Sequence, residues 1–154
     1  MAIKARFFQI KNDYDLDPGS LIQQGNDWCI RAAVDDRGEK AQLTMSLTGE
    51  QMGQFNYLHN SSRCVALDPD LKLEIRVDGI VEGPGGPPVG SLVWSVDGAS
   101  QAICAKDGFF MTMAGVHSKA FSGHRAFFAR KWSIWIVGED GKDTGGGPLV
   151  SVDA

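Results

Sequence analysis

The residues of this 154-residue chain that could carry chemistry are few: His59, His117 and His124, Cys29, Cys64 and Cys104, and the acidic run Asp13, Asp15 and Asp17. No two histidines stand at HxH or HxxxH spacing, so no metal site is expected from them. A Ser/His/Asp triad is a spatial arrangement that spacing alone does not reveal, but no GxSxG elbow or other nucleophile signature occurs. The glycine-rich stretches 83–86 and 145–147 lack the Lys-Ser/Thr of a phosphate loop and read as turns. The Asp13-x-Asp15-x-Asp17 run begins like a calcium loop. Pro18, however, holds the position that needs glycine, and Gln24 the place of the bidentate glutamate. An irregular calcium site and a solvated turn whose carboxylates cap backbone amides both remain open. Three cysteines without CxxC spacing suit reduced, packed thiols. Asn60-Ser61-Ser62 fits a short glycosylation acceptor. No cofactor is implied.

Aromatic residues are more suggestive. Phe109-Phe110, Phe127-Phe128, and Trp132 with Trp135 each place rings on both faces of a strand, whereas a sheet with one wet face needs only one. Either both faces are covered, or some rings lie exposed at a binding surface, where they would stack on carbohydrate or enter a lipid headgroup layer.

The elements that must hold these residues are strands. Leu71, Leu73, Ile75 and Val77 alternate with Lys72, Glu74 and Arg76, the period-two pattern of a half-buried strand. Ala41, Leu43, Met45 and Leu47 alternate likewise, and Trp28, Ile30, Ala32 and Val34 form the inward row of the strand before, joined to it by a hairpin loop at 35–39. Further strands are predicted at 3–11, 90–96, 100–106, 109–114, 126–137 and 149–152, with Trp132, Ile134 and Ile136 on one face of the long one. Asp-Gly pairs at 78–79, 97–98, 107–108 and 140–141 suit type I′ turns. Thr48 and Gln51 at capping-box spacing predict one short helix over 49–58. The stretch 83–88 is expected to be a loop between strands. No repeat or linker divides the chain, so one domain spanning 1–154 is expected: all-β, an antiparallel two-sheet β-sandwich with at most one short helix, or alternatively a small β-barrel.

A chain of this size buries roughly two-thirds of the surface its unfolded form exposes. Nineteen acidic against fifteen basic side chains give a net charge of −4, which opposes nucleic-acid phosphates and general attraction to anionic lipid. No apolar run is long enough to span a bilayer. Lys4, Arg6 and Lys11 interrupt the first residues, so no cleaved signal peptide is read. A soluble protein is expected, cytoplasmic or released without a classical signal, with peripheral membrane binding compatible.

In order along the chain, the residues resemble the aegerolysin family, small acidic β-sandwich proteins that bind specific membrane lipids. The likeness runs through Ile10-Lys11-Asn12, Trp28, the segment Leu67-Asp68-Pro69-Asp70-Leu71-Lys72-Leu73-Glu74-Ile75, then Asp78-Gly79, Glu82-Gly83 and Gly90-Ser91-Leu92. It continues in Lys131-Trp132, Ile134, Gly138, Asp143, Gly145 and Val152-Asp153. Where the family carries Trp-Asp-Cys-Pro-Trp, this chain reads Cys104-Ala105-Lys106-Asp107-Gly108-Phe109-Phe110. The resemblance implies that Glu82 accepts hydrogen bonds from a lipid headgroup's hydroxyl or ammonium, with Trp28 and Phe110 lining or flanking the pocket.

Three functions follow as expectations. The first is a lipid- or glycolipid-binding sandwich, recognising a sphingolipid-type headgroup and working beside a larger pore-forming protein. The second is a small barrel enzyme of cyclase or isomerase type, with a cavity lined by Phe109, Phe110, Trp132 and Trp135. The third is a lectin-like or assembly protein whose surplus aromatics cover a subunit interface.

Overall fold

The computed structural model describes residues 4–58, 62–121, 126–144 and 146–154. His59, His124, Gly145, Ile3 at the start of the first predicted strand, and the first two residues of the glycosylation acceptor 60–62 lie outside the described residues. In chain order the first strands are β1 (Phe8–Asn12), β2 (Leu21–Gln24), β3 (Asp27–Asp36), β4 (Glu39–Ser46), β5 (Phe55–Tyr57), β6 (Arg63–Leu67) and β7 (Lys72–Val77). They are followed by β8 (Glu82–Gly85), β9 (Leu92–Ser95), β10 (Gln101–Cys104), β11 (Phe110–Met111), β12 (Ala126–Ala129), β13 (Lys131–Val137) and β14 (Val150–Asp153).

These strands form open antiparallel sheets: six strands in the order β1-β6-β2-β3-β4-β5, five in the order β11-β10-β9-β12-β8, and three in the order β14-β13-β7. No sheet closes on itself, so the fold is an all-β sandwich and not a barrel. One core joins all three sheets. Ile30, Met45 and Leu47 of the six-stranded side meet Leu92, Ile103 and Met111 of the five-stranded sheet and Trp132, Ile134 and Ile136 of β13. Alternation along β3 and β4 supplies this inward row, as the period-two pattern requires.

The outward side of the six-stranded sheet is covered too. Arg31 is 2% exposed there. Its guanidinium donates to the carbonyls of Asp13 (3.0 Å), Ala32 (2.9 Å) and Leu43 (3.3 Å) and to the Gln42 side-chain oxygen (2.6 Å). One member of the acidic run has a defined role. Asp13 accepts the backbone N–H of Tyr14 at 2.9 Å and of Ser62 at 3.0 Å, which makes it an amide-capping carboxylate. Among the described residues no group of His, Cys, Asp or Glu could hold a metal ion.

Two turns show the expected chemistry. Asp36 pairs with Glu39 across a two-residue loop in which Arg37 (φ 52°) and Gly38 (φ 86°) both take positive φ, matching the right-handed twist of the β3–β4 hairpin. Asp107 (φ 61°) and Gly108 (φ 76°) do the same between β10 and β11. Asp78-Gly79, by contrast, lies in a connection between two sheets, and in Asp97-Gly98 and Asp140-Gly141 the glycine alone takes a positive φ (72° and 76°), so neither is a type I′ turn.

Four local expectations are corrected. The segment 49–58 is not a helix: Gly49 and Gly53 take φ of +82° and +79°, and Phe55 to Tyr57 pair with β4 as an edge strand. Thr48 does cap, but its hydroxyl accepts the Trp28 backbone N–H at 3.0 Å. The long strand 126–137 is two strands in different sheets, broken at Arg130. Part of the supposed loop 83–88 belongs to β8, which pairs with β12. The first strand is preceded by a 3-10 turn over Ala5–Phe7.

Candidate functional site

The doubled phenylalanines are explained by a sheet buried on both faces. On the five-stranded sheet, Leu92, Ile103 and Met111 point into the main core. Their neighbours Val93, Ala102, Cys104, Phe110, Ala126 and Phe128 form a second cluster, to which Phe121 adds its ring. Phe110 and Phe121 stack with centroids 5.0 Å apart. The rings named for an enzyme cavity lie in different surroundings. Trp132 is fully buried, Phe110 belongs to the second cluster, and Trp135 is half-buried with the Arg76 guanidinium 4.3 Å from its ring centre. Among the described residues no Trp or Phe stands among the exposed large side chains, so the surplus rings do not emerge together at a rim near Glu82, and Phe109 is half-buried.

The three residues implied by resemblance are not brought together. Trp28 is 5% exposed, lies in the main core and stacks on Phe8 with centroids 6.2 Å apart. Phe110 on β11 and Glu82 on β8 sit at opposite edges of the five-stranded sheet, four inter-strand spacings of about 4.8 Å apart. Glu82 alone faces solvent.

Glu82 nevertheless occupies a distinctive corner. The connection 78–81 carries the chain from β7 in the three-stranded sheet to β8 at the edge of the five-stranded sheet, and the turn at Arg130 carries it from β12 back to β13. The two crossings run side by side: Asp78 donates its backbone N–H to the Lys131 carbonyl at 2.9 Å. This places Arg130 against Glu82, with Nε donating to Oε2 at 2.8 Å. Arg130 also lies over the Phe128 ring, 5.7 Å from its centre. In the chain leading to Glu82, Val77, Ile80 and Val81 are 37%, 75% and 55% exposed.

Two consecutive exposed apolar residues, Ile80 and Val81, thus lead directly into the Glu82 of a carboxylate–guanidinium pair. Lys131 adds a second cation, 3.7 Å from the Asp153 carboxylate. The aliphatic residues could have been noticed in Gly79-Ile80-Val81, an apolar pair directly after a turn signal. The part played by Arg130 depends on where the strand 126–137 breaks, which the sequence marks by the charged pair Arg130-Lys131 alone. No helix among the described residues is long and apolar enough to cross a membrane. No family model, curated protein or solved structure matches the chain.

Proposed function

We propose that the protein binds the surface of a lipid membrane through this corner and recognises a zwitterionic, sphingolipid-type headgroup. The observation that carries the reading is the exposure of Ile80 and Val81 directly beside the Glu82–Arg130 pair. A phospho-ammonium headgroup presents a cation and an anion, and a carboxylate next to a guanidinium complements both with charge-assisted hydrogen bonds. Opening the pair to admit the ligand costs little, since an exposed ion pair contributes only about 0–1 kcal/mol. Transfer of the exposed parts of Ile80 and Val81 into the headgroup boundary returns about 2–3 kcal/mol. With a net charge of −4, binding depends on this local complementarity and not on general attraction to anionic lipid. The aegerolysin resemblance points in the same direction and suggests a larger pore-forming partner.

Cosedimentation tests the reading. The protein should pellet with vesicles of sphingomyelin and cholesterol or of ceramide phosphoethanolamine. Glu82→Ala and the double substitution Ile80→Ser/Val81→Ser should each reduce the bound fraction while the fold persists. A folded protein that stays in the supernatant with every member of a broad lipid panel removes the proposal.

A further inference from the structure

A concavity lies elsewhere on the molecule, where the two layers part at the β5 edge. A cleft of about 530 Å³ opens between β5, the end of the β3–β4 hairpin and the turn that joins β10 to β11. Phe55 from one layer and Phe109 from the other meet edge to face, centroids 5.5 Å apart, and give it an apolar wall. Tyr57, two residues beyond Phe55 and therefore on the same face of β5, adds a ring that is 54% exposed, with its hydroxyl 3.4 Å from the Asp36 carboxylate. Asp35 and Asp36 line one side. Lys106 and Asp107 line the other, and the Lys106 ammonium reaches the Gln54 side-chain oxygen at 3.5 Å.

The chemistry of the lining narrows the ligand. Three carboxylates against one ammonium repel an anion. A polyhydroxylated ring suits both signs, because its hydroxyls donate to Asp35, Asp36 or Asp107 and accept from Lys106, while its apolar face lies on an exposed aromatic ring. The volume falls in the range of small-molecule sites, about 300–1,000 Å³. We infer that this cleft is a binding site for a neutral saccharide of one or two rings. It shares no residue with the Glu82 corner and stands independently of the lipid reading.

Amide-resolved NMR titration with glucose, galactose, mannose, N-acetylglucosamine, xylose and their common disaccharides tests the site. At least one sugar should shift the amides of Phe55, Tyr57, Lys106, Asp107 and Phe109 and leave those of Ile80 to Glu82 unmoved. Tyr57→Ala should weaken that sugar about tenfold or more, whereas Tyr57→Phe, which keeps the stacking face, should stay within about threefold. The Ile80→Ser/Val81→Ser variant should respond as the parent does, which separates this site from membrane binding. The inference is overturned if no sugar moves the cleft amides, if Tyr57→Ala leaves the response intact, or if tetramethylammonium or phosphate produces the shifts instead.

Discussion

Trp132 donates its indole N–H to the Gly90 carbonyl at 2.9 Å, tying β13 to the segment that leads into β9 across the interior of the sandwich. The ring is completely buried in the core that joins all three sheets. Gly90 is constrained in turn: it takes a φ of +94°, and a Cβ there would come within 2.5 Å of the Met52 sulfur.

Trp132→Phe should therefore be among the more damaging single changes. It removes part of a buried ring and leaves the Gly90 carbonyl without its partner. An unsatisfied buried acceptor costs about 1–3 kcal/mol, and the residual cavity brings the expected loss to about 2–4 kcal/mol. Urea unfolding measures it. Trp135→Phe is the comparison: that ring is half-buried and its indole N–H bonds only the neighbouring Ser133 hydroxyl, at 2.9 Å, so its loss should be clearly smaller. Equal losses for the two variants would refute the assigned role of Trp132.

Much of the sandwich is legible before any coordinates, because alternation reports burial on one face. The rows Trp28, Ile30, Ala32, Val34 and Leu43, Met45, Leu47 all enter the core as the pattern requires. The pattern fails where both faces are buried. Residues 126–137 are apolar except for Arg130, Lys131 and Ser133, and the charged pair Arg130-Lys131, which also suits an exposed turn of one strand, is the sole mark of the break that sends β12 and β13 into different sheets and brings Arg130 to Glu82. Short edge strands fail differently. Phe55 to Tyr57 form three residues of strand inside a window with good capping chemistry, and the cross-strand partners Leu43 to Met45 that decide the outcome lie outside that window on the preceding strand. The saccharide cleft inherits this difficulty, since residues 35–36, 54–57 and 106–109 meet only after the sheets have packed.

The thiols give a second prediction. Cys29 and Cys104 are buried, and burial pushes both upward from the ordinary thiol value. Cys64 is only half-buried, with its sulfur 3.4 Å from the Lys11 carbonyl, though partial burial raises it as well. Reactivity follows thiolate content and access. With a thiol-specific disulfide reagent near neutral pH the folded protein should expose at most one slowly reacting thiol, which Cys64→Ser abolishes. All three should react in denaturant. Rapid reaction of more than one thiol in the folded protein would contradict this packing.

Acid stability is the third. Asp143 accepts two hydrogen bonds from the Arg76 guanidinium, which also donates to the Glu74 carboxylate at 2.7 Å. Those hydrogen bonds, followed by the charge of Arg76, hold the Asp143 carboxyl below its ordinary value of 3.8. The sign follows from linkage. A carboxylate whose value is depressed in the folded state binds its proton less readily there than in the unfolded chain. Its contribution is fully present above about pH 4 and disappears as the pH falls through the depressed value. Asp143→Asn should accordingly lower the thermal midpoint relative to the parent near neutral pH, and the gap should narrow below about pH 4 as the parent's own carboxylate protonates. Because the pair is exposed, added salt should narrow it as well. Thermal melts of both proteins from about pH 7 down to about pH 3 decide the matter: a gap of constant size across that range would show that Asp143 acts through something other than its charge on Arg76.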